Sequence, residues 1–183
     1  MTAEQQAIDW AAAQGAVRQR AIDGGGVPGF ALPAQIQGKT GRQVLAAMMS
    51  GELPYPHLNE TMGFDLMEVG DGLAVFQGVP HVRYYNPLGT LHGGWYCALL
   101  DSALGCAVQS KLPAGRGYTT AEISVNLVRS APRSNEPLRA IGTVLHCGKQ
   151  LATAEARIVD ASGRLYAHAT TTCLVFEIPA SAA

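Results

Sequence analysis

The spacing of hydrophobic and polar residues changes along the chain, and these changes predict its secondary structure. Residues 2–22 carry a loose apolar stripe with helical spacing, and Thr2 with Gln5 forms a capping-box pattern at its start. A second capping pattern, Thr40 with Gln43, opens a shorter predicted helix. Because the stripe of the first helix is weak, we expect this helix either to pack on a neighbour or to fray.

From residue 64 the apolar residues alternate with a period of two, which is typical of strands. Residues 64–69 and 73–79 are separated by a Gly-Asp-Gly turn and predict a hairpin. Four further strand-like runs follow, at residues 119–130, 138–147, 151–160 and 165–176. The short breaks between most of them favour antiparallel neighbours.

The longest predicted helix, residues 92–111, lies between the hairpin and these four runs. It is apolar on nearly all sides, so we expect it to be buried on most sides. Alanines at alternate positions of the last two strands would let a helix lie close to the sheet. We therefore predict an α+β fold, with an antiparallel sheet of five to six strands wrapped around one long central helix. The predicted divisions are an N-terminal helical extension and linker, one domain, and a C-terminal tail, at residues 1–39, 40–178 and 179–183.

The amino-acid composition of the chain argues against one class of function and favours an oligomer. The 183 residues are 48% hydrophobic and only 15% charged, and 13 basic residues nearly balance 14 acidic ones. This balance argues against a nucleic-acid-binding protein, which should show a basic excess. Soluble chains average about 25% charged residues. The shortfall suggests that part of the surface is hidden in a homo-oligomer.

The cysteines and histidines show no metal-site spacing, so we expect four free thiols and no metal site. Residues 1–6 contain no basic stretch and no apolar segment, so no signal peptide is expected. The longest apolar stretch is interrupted by Asp101 and is too short to span a bilayer. We expect a cytoplasmic protein without membrane attachment.

Asp101 lies in the middle of the apolar central helix. An unpaired buried carboxylate costs several kcal/mol, so this group must be paired, protonated or exposed in a cleft. It is either a structural carboxylate that reaches solvent or a catalytic one, and the flanking residues favour neither.

The segment from Thr90 to Gly94 precedes this helix and ends in His92-Gly93-Gly94. A helix N-terminus presents unpaired N–H groups and a partial positive charge, which suits an anion or a developing oxyanion. A plain glycine-rich junction is the alternative. Gly93 and Asp101 are eight residues apart, or about 12 Å along one helix. If both act on one substrate, they must come from two chains, which predicts a symmetric dimer.

Several motifs together resemble the PaaI-type (phenylacetate-pathway) thioesterases of the hotdog superfamily. The resemblance covers residues 40–177 and is carried by five segments: 40–54, Asn86-Pro-Leu-Gly-Thr-Leu-His-Gly-Gly94, Leu99-Leu-Asp-Ser-Ala103, Thr119-Thr-Ala-Glu-Ile-Ser-Val-Asn126 and Gly163-Arg-Leu165. It implies the hotdog fold and hydrolysis of acyl-CoA thioesters without a metal or organic cofactor. It also implies assembly as a dimer or a dimer of dimers.

The resemblance further implies roles for individual residues. Asp101 would be the nucleophile or general base, and the Gly93 N–H would polarise the thioester carbonyl. Asn86 and His92 would orient the substrate or water, and the Thr120 hydroxyl would assist the carboxylate.

Five residues are predicted to contact the substrate: Gly94, Tyr96, Thr119, Arg129 and Arg133. Thr119 is also the alternative to Thr120 beside the carboxylate. The two arginines could bind CoA phosphates, although a solvated loop charge is the simpler interpretation. Adjacent helical side chains diverge by about 100°, so we expect Trp95 to pack in the core and Tyr96 to face the substrate.

Two other functions remain open. A hotdog dehydratase or hydratase would use a histidine and a carboxylate as an acid–base pair, a role that His92 and Asp101 could fill. A non-catalytic acyl-CoA-binding module would bind the same ligand without turnover.

Overall fold

A computed structural model describes residues 1–131 and 136–178 of the chain. Its five helices are α1 (Ala3–Asp23), α2 (Pro33–Ile36), α3 (Gly41–Ser50), α4 (His57–Met62) and α5 (Gly93–Lys111), with a 3₁₀ turn at Val82–Tyr84. Its six strands are β1 (Phe64–Gly70), β2 (Leu73–Gly78), β3 (Arg116–Leu127), β4 (Leu138–Cys147), β5 (Leu151–Val159) and β6 (Leu165–Glu177). None of the described helices is long and apolar enough to cross a membrane.

One antiparallel sheet, in the order β1-β2-β4-β5-β6-β3, wraps around α5. The helix can lie close to the sheet because the facing strand residues are small, and Ala152, Ala154 and Ala167 are fully buried. At Gly142 on β4, an added Cβ would lie only 2.4 Å from the carbonyl oxygen of Ala103 in the helix. The predicted arrangement of a sheet around one buried helix is confirmed.

The predicted element boundaries agree with the structure to within about three residues. Thr40 and Gln43 make both hydrogen bonds of the predicted capping box. β3 begins at Arg116 rather than Thr119, because Arg116 pairs in register with Glu177 of β6. It ends at Leu127 rather than Ser130, because the next two N–H groups both donate to the carbonyl of Tyr166 instead of continuing the ladder. A short helix, α2, forms in the predicted linker.

The N-terminal helix α1 packs on the rest of the same chain through polar contacts. Gln14 is buried, and its side-chain amide donates to Asp65 of β1 (2.7 Å) and to the carbonyl of Gln77 in β2 (3.2 Å). The fully buried Gln77 donates in turn to the carbonyl of Trp10 (2.7 Å), and Arg139 of β4 stacks 4.0 Å above the Trp10 ring. These contacts explain how a helix with a weak apolar stripe is held in place.

Trp95 forms the largest fully buried side chain of the core. It is 1% exposed, its Nε1–H donates to the carbonyl of Met62 (2.9 Å), and its ring stacks on Tyr84. We expect Trp95→Ala to lower the free energy of unfolding by about 3–5 kcal/mol, since it removes a large core side chain. Urea unfolding at one fixed protein concentration measures this loss.

Trp10 provides the matched control for this prediction. Its ring is half-exposed and stacks under Arg139, while its buried contact to Gln77 uses the backbone carbonyl. Trp10→Ala should therefore lower the free energy of unfolding by only about 1 kcal/mol for the lost contact with Arg139, in addition to the smaller loss from a ring that is only partly buried. Equal losses for the two variants would show that Trp95 does not anchor the core as described.

Candidate active site

Asp101 projects from the side of α5 that this chain leaves uncovered. Its side chain is exposed, and the Thr120 hydroxyl donates a 3.0 Å hydrogen bond to its Oδ1. The ladder between β3 and β6 shifts register directly after Thr120. A carboxylate in an apolar helix is thus exposed and paired with a hydroxyl on the neighbouring strand. Thr119 points to the other face of β3, as alternation along a strand requires.

Two thiols and one phenol lie close enough to Asp101 for its charge to affect their pKa values. Burial raises the pKa of Cys106 to about 12, with a further contribution from the charge of Asp101. Burial also raises the pKa of Tyr118 well above its usual value and raises that of Cys173, and in each the charge of Asp101 contributes in the same direction. These groups therefore stay protonated at neutral pH and cannot supply a thiolate or phenolate nucleophile beside Asp101.

Tyr118 was not predicted from the sequence as part of this region. It lies two residues before Thr120 on β3, so both side chains leave the same face of the strand. That alternation could have indicated it. An added Cβ at Gly105 of α5 would lie 2.3 Å from the Tyr118 hydroxyl, so glycine at this position makes room for the ring.

The turn before α5 leaves one N–H group available. His92 caps the helix: its Nδ1 accepts from the N–H of Gly94 (2.9 Å), and its carbonyl accepts from the N–H of Trp95 (3.0 Å). Within the described part of the chain, no group accepts a hydrogen bond from the N–H of Gly93. The N–H of Gly93 is therefore available to a ligand at this helix end, whereas the N–H of Gly94 is already engaged.

The His92 ring has a defined tautomer in this arrangement. Since Nδ1 accepts a hydrogen bond, a neutral His92 carries its proton on Nε2. The ring is exposed, so this Nε2–H faces outward. The backbone N–H of His92 also donates to the carbonyl of Tyr84 (2.9 Å), which fixes the turn from the other side.

Asn86 organises the loop that leads to this turn. Its Oδ1 accepts from the N–H groups of Leu88 (3.0 Å) and Thr90 (3.2 Å), and its amide donates to the Thr90 hydroxyl (2.8 Å). These contacts are characteristic of an Asx turn. The side chain thus lies close to the His92 turn in sequence but makes its hydrogen bonds within its own loop.

The predicted substrate-contacting residues are dispersed. Tyr96 is only 3% exposed, and its hydroxyl accepts from the N–H of Ala131 (2.8 Å). Trp95 packs in the core as predicted, but Tyr96 does too, so the expected division between these two neighbours is wrong for the single chain. Arg129 is exposed, and its Nε–H makes a long 3.4 Å hydrogen bond to the carbonyl of Leu165. Arg133 and the predicted tail at residues 179–183 lie outside the described residues.

Gly93 and Asp101 do not meet within one chain. Helix α5 is continuous from Gly93 to Lys111, so the separation of about 12 Å along its axis holds in the folded protein. The structure brings Thr120 to Asp101 and His92 to Gly94, but it leaves the predicted oxyanion donor and the predicted carboxylate apart. Among residues 1–131 and 136–178, no group of three or more His, Cys, Asp or Glu side chains is placed to hold a metal ion.

An antiparallel sheet wrapped around one central helix is the hotdog fold, and here that helix begins at a glycine turn and carries a carboxylate in its middle. The sequence model of the thioesterase superfamily matches residues 88–167, which include both the turn and the carboxylate. No curated protein sequence matches this chain.

Three solved structures illustrate the likeness. A conserved protein of Pseudomonas aeruginosa is 26% identical, with a TM-score of 0.62 over 67% of this chain and 95% of that one. The PaaI protein from the phenylacetic acid degradation operon of E. coli is 22% identical, with a TM-score of 0.60 over 65% and 83%. A Haemophilus influenzae thioesterase is 19% identical, with a TM-score of 0.62 over 69% and 87%. The hotdog fold and the resemblance to PaaI-type thioesterases are thereby confirmed, and the superfamily match supports a thioester hydrolase.

Proposed function

We propose that this protein is an acyl-CoA thioesterase whose active sites form between two copies of the chain. The observation that carries the proposal is the pair of complementary groups on α5, an exposed carboxylate at Asp101 and an unpartnered N–H at Gly93. The N–H would stabilise the oxyanion that develops on the thioester carbonyl. The carboxylate would attack that carbonyl or activate a water molecule.

The geometry of α5 supports a twofold arrangement centred on Cys97. This residue is four positions from both Gly93 and Asp101, and it lies about 40° around the helix from each. A twofold axis passing close to Cys97 would place each Gly93 opposite Asp101 of the partner subunit. Cys97 and its neighbour Ala98 are half-buried in the single chain, and both are small enough for a second helix to approach.

The neighbouring sheet edge supports the same interface. β3 is the last strand of the sheet, next to the uncovered side of α5, and half of its residues are exposed. Leu127 at its end and the following Val128 are 51% and 55% exposed. An exposed strand edge with apolar side chains is normally covered by another chain. A dimer, or a dimer of dimers, would cover it and would also account for the low charge content.

The geometry at His92 favours hydrolysis over hydration. A hydratase would use the histidine as a base, whereas Nδ1 of His92 is engaged as the helix cap and Nε2 already carries the proton of the neutral ring. The proposed reaction adds water to the thioester carbonyl and releases a carboxylic acid and the CoA thiol. The contacts of Arg129 and Arg133 with the CoA phosphates remain predictions.

A comparison of saturated and enoyl thioesters tests the proposed function. We expect purified protein to release thiol from saturated and aromatic acyl-CoAs. With crotonyl-CoA, any loss of enoyl absorbance should be accompanied by release of thiol. Loss of enoyl absorbance without free thiol would instead identify a hydratase. Tight acyl-CoA binding without either reaction would identify a binding module and contradict the proposal.

A further inference from the structure

A cavity of about 570 Å³ lies beneath the N-terminal helix, between α1, α3, α4 and the β1-β2 hairpin. Its inner wall is apolar and is formed by Leu45, Met48 and Met49 of α3 and by Leu66 and Phe76 of the sheet. Small-molecule sites commonly enclose roughly 300–1,000 Å³ and are mostly apolar, with few polar groups. Methionines suit such a wall because their flexible side chains adapt to the shape of a ligand.

The cavity reaches the surface beside several charged side chains, most of which already have partners. Asp65 accepts from Arg18 (2.6 Å) and from the amide of the buried Gln14 (2.7 Å). Glu60 accepts from the hydroxyl of Tyr55 (3.1 Å). These contacts join α1 and α4 to the rim, and they leave little capacity for a further ligand there.

Arg83 is the exception at this rim. Its Nε–H donates to Nδ1 of His81 (3.2 Å), and its guanidinium carbon lies 5.8 Å from the centre of the Tyr84 ring. No carboxylate among the described residues forms an ion pair with it. A guanidinium presents donors in a planar fork that fits a carboxylate. The rim therefore offers an unpaired cation next to an apolar cavity.

The proposed catalytic groups do not line the cavity, and the one residue of α5 that does is Cys106, five positions and about 140° around the helix from Asp101. Tyr84 lines it and stacks on Trp95 with ring centres 6.4 Å apart, and Trp95 is almost completely buried. Neither Gly93 nor Asp101 lines the cavity. A ligand bound here would reach the surface near Arg83 without passing the Gly93 turn.

We propose that this cavity is a second binding site, which takes an amphipathic carboxylate with an unbranched hydrocarbon chain, such as a free fatty acid. The chain would lie among the apolar residues of α3 and the sheet, and the carboxylate would pair with Arg83. The inference is independent of the proposed thioesterase activity.

Fluorescence titration of the full-length protein with dansyl-undecanoic acid tests this site, with unlabelled dodecanoic acid and dodecanol as competitors. We expect saturable binding that dodecanoic acid reverses. Dodecanol, which lacks the carboxylate, should compete at least about tenfold less well, because a charge-assisted hydrogen bond contributes about 1.5–3 kcal/mol. Arg83→Gln should weaken the acid by the same factor and leave dodecanol unchanged. Arg20→Gln, on the exposed end of α1 and away from the cavity, is its control.

A second pair of variants tests the position of the chain. Val17 lines the cavity from α1, whereas its neighbour Ala16 is exposed and does not. Val17→Trp should fill the cavity and abolish binding of the fatty acid, and Ala16→Trp should bind it as the wild type does. Melting curves establish that each variant folds. If Val17→Trp does not fold, the Arg83→Gln comparison decides the question alone.

Hydrolysis assays on the same variants separate this inference from the proposed function. We expect Val17→Trp to keep the wild-type KM for acyl-CoA thioesters, and Asp101→Asn to keep full binding of the fatty acid. Absence of saturable binding, or equal competition by acid and alcohol, would overturn the second site. A rise in KM for long acyl-CoAs in Val17→Trp would also overturn it, since the cavity would then hold the substrate's acyl chain.

Discussion

Replacement of Asp101 by asparagine should lower kcat/KM for thioester hydrolysis by at least about 100-fold, since it removes the group proposed as nucleophile or base. The fold should survive this change. The side chain is exposed, and the amide oxygen of asparagine can still accept the 3.0 Å hydrogen bond from Thr120. The melting temperature and the Kd for acyl-CoA should therefore stay close to those of the wild type, while initial rates of thiol release fall.

The control for this prediction is Glu155→Gln. Glu155 is also exposed, but it lies on β5 and, by alternation with the buried Ala154 and Ala156, points away from α5. Its replacement removes the same charge and should leave the rate within about twofold of wild type, as surface changes usually do. Near-wild-type turnover in Asp101→Asn would show that the carboxylate is structural.

Gly93→Pro should lower kcat/KM by about 100- to 1,000-fold, the usual effect of losing one oxyanion donor. Proline removes the N–H but suits the first position of a helix. The preceding residue, His92, has φ −64° and ψ 136°, which is the extended conformation that a following proline favours. The backbone should therefore accept the substitution, and initial rates with the melting curve would test this.

Gly93→Ala isolates the effect of the N–H from that of added bulk. A Cβ at this position would lie 3.0 Å from Cδ1 of Leu127, at the end of a flexible side chain that can shift. The alanine variant keeps the N–H and should retain activity within about tenfold, a smaller loss than that of the donor itself. If alanine and proline reduce the rate equally, steric crowding explains the loss and Gly93 is not the oxyanion donor.

The sequence was sufficient to predict those parts of the fold that depend on local pattern. Residues 92–111 are apolar on nearly all sides apart from Asp101, so a helix with this composition must be buried on most sides. The alternation of apolar and polar residues identified the strands in the same way, because one face of each strand packs against that helix. Thr120 beside Asp101 was predicted from the resemblance, and the 3.0 Å contact agrees with it.

Long-range polar contacts could not be predicted in this way. Nothing in the spacing of Gln14, Asp65 and Gln77 indicates that they meet, since they come from three elements that only the folded chain brings together. The cavity beneath α1 depends on the same contacts. The burial of Tyr96 also escaped prediction, because 100° spacing separates adjacent side chains but does not show how far the core extends around the helix.

The most direct test of the shared site is a mixture of two inactive chains. Asp101→Asn and Gly93→Pro subunits, each folded and each inactive alone, would be combined under conditions in which subunit exchange is demonstrated by a mass-tagged copy. A mixed dimer contains one site with both defects and one with neither. Random exchange places half of the dimers in the mixed form, so thiol release should recover to about one quarter of the wild-type rate per chain. Recovery of this size is the result predicted here, and no recovery despite complete exchange would contradict a site built from Gly93 of one chain and Asp101 of another.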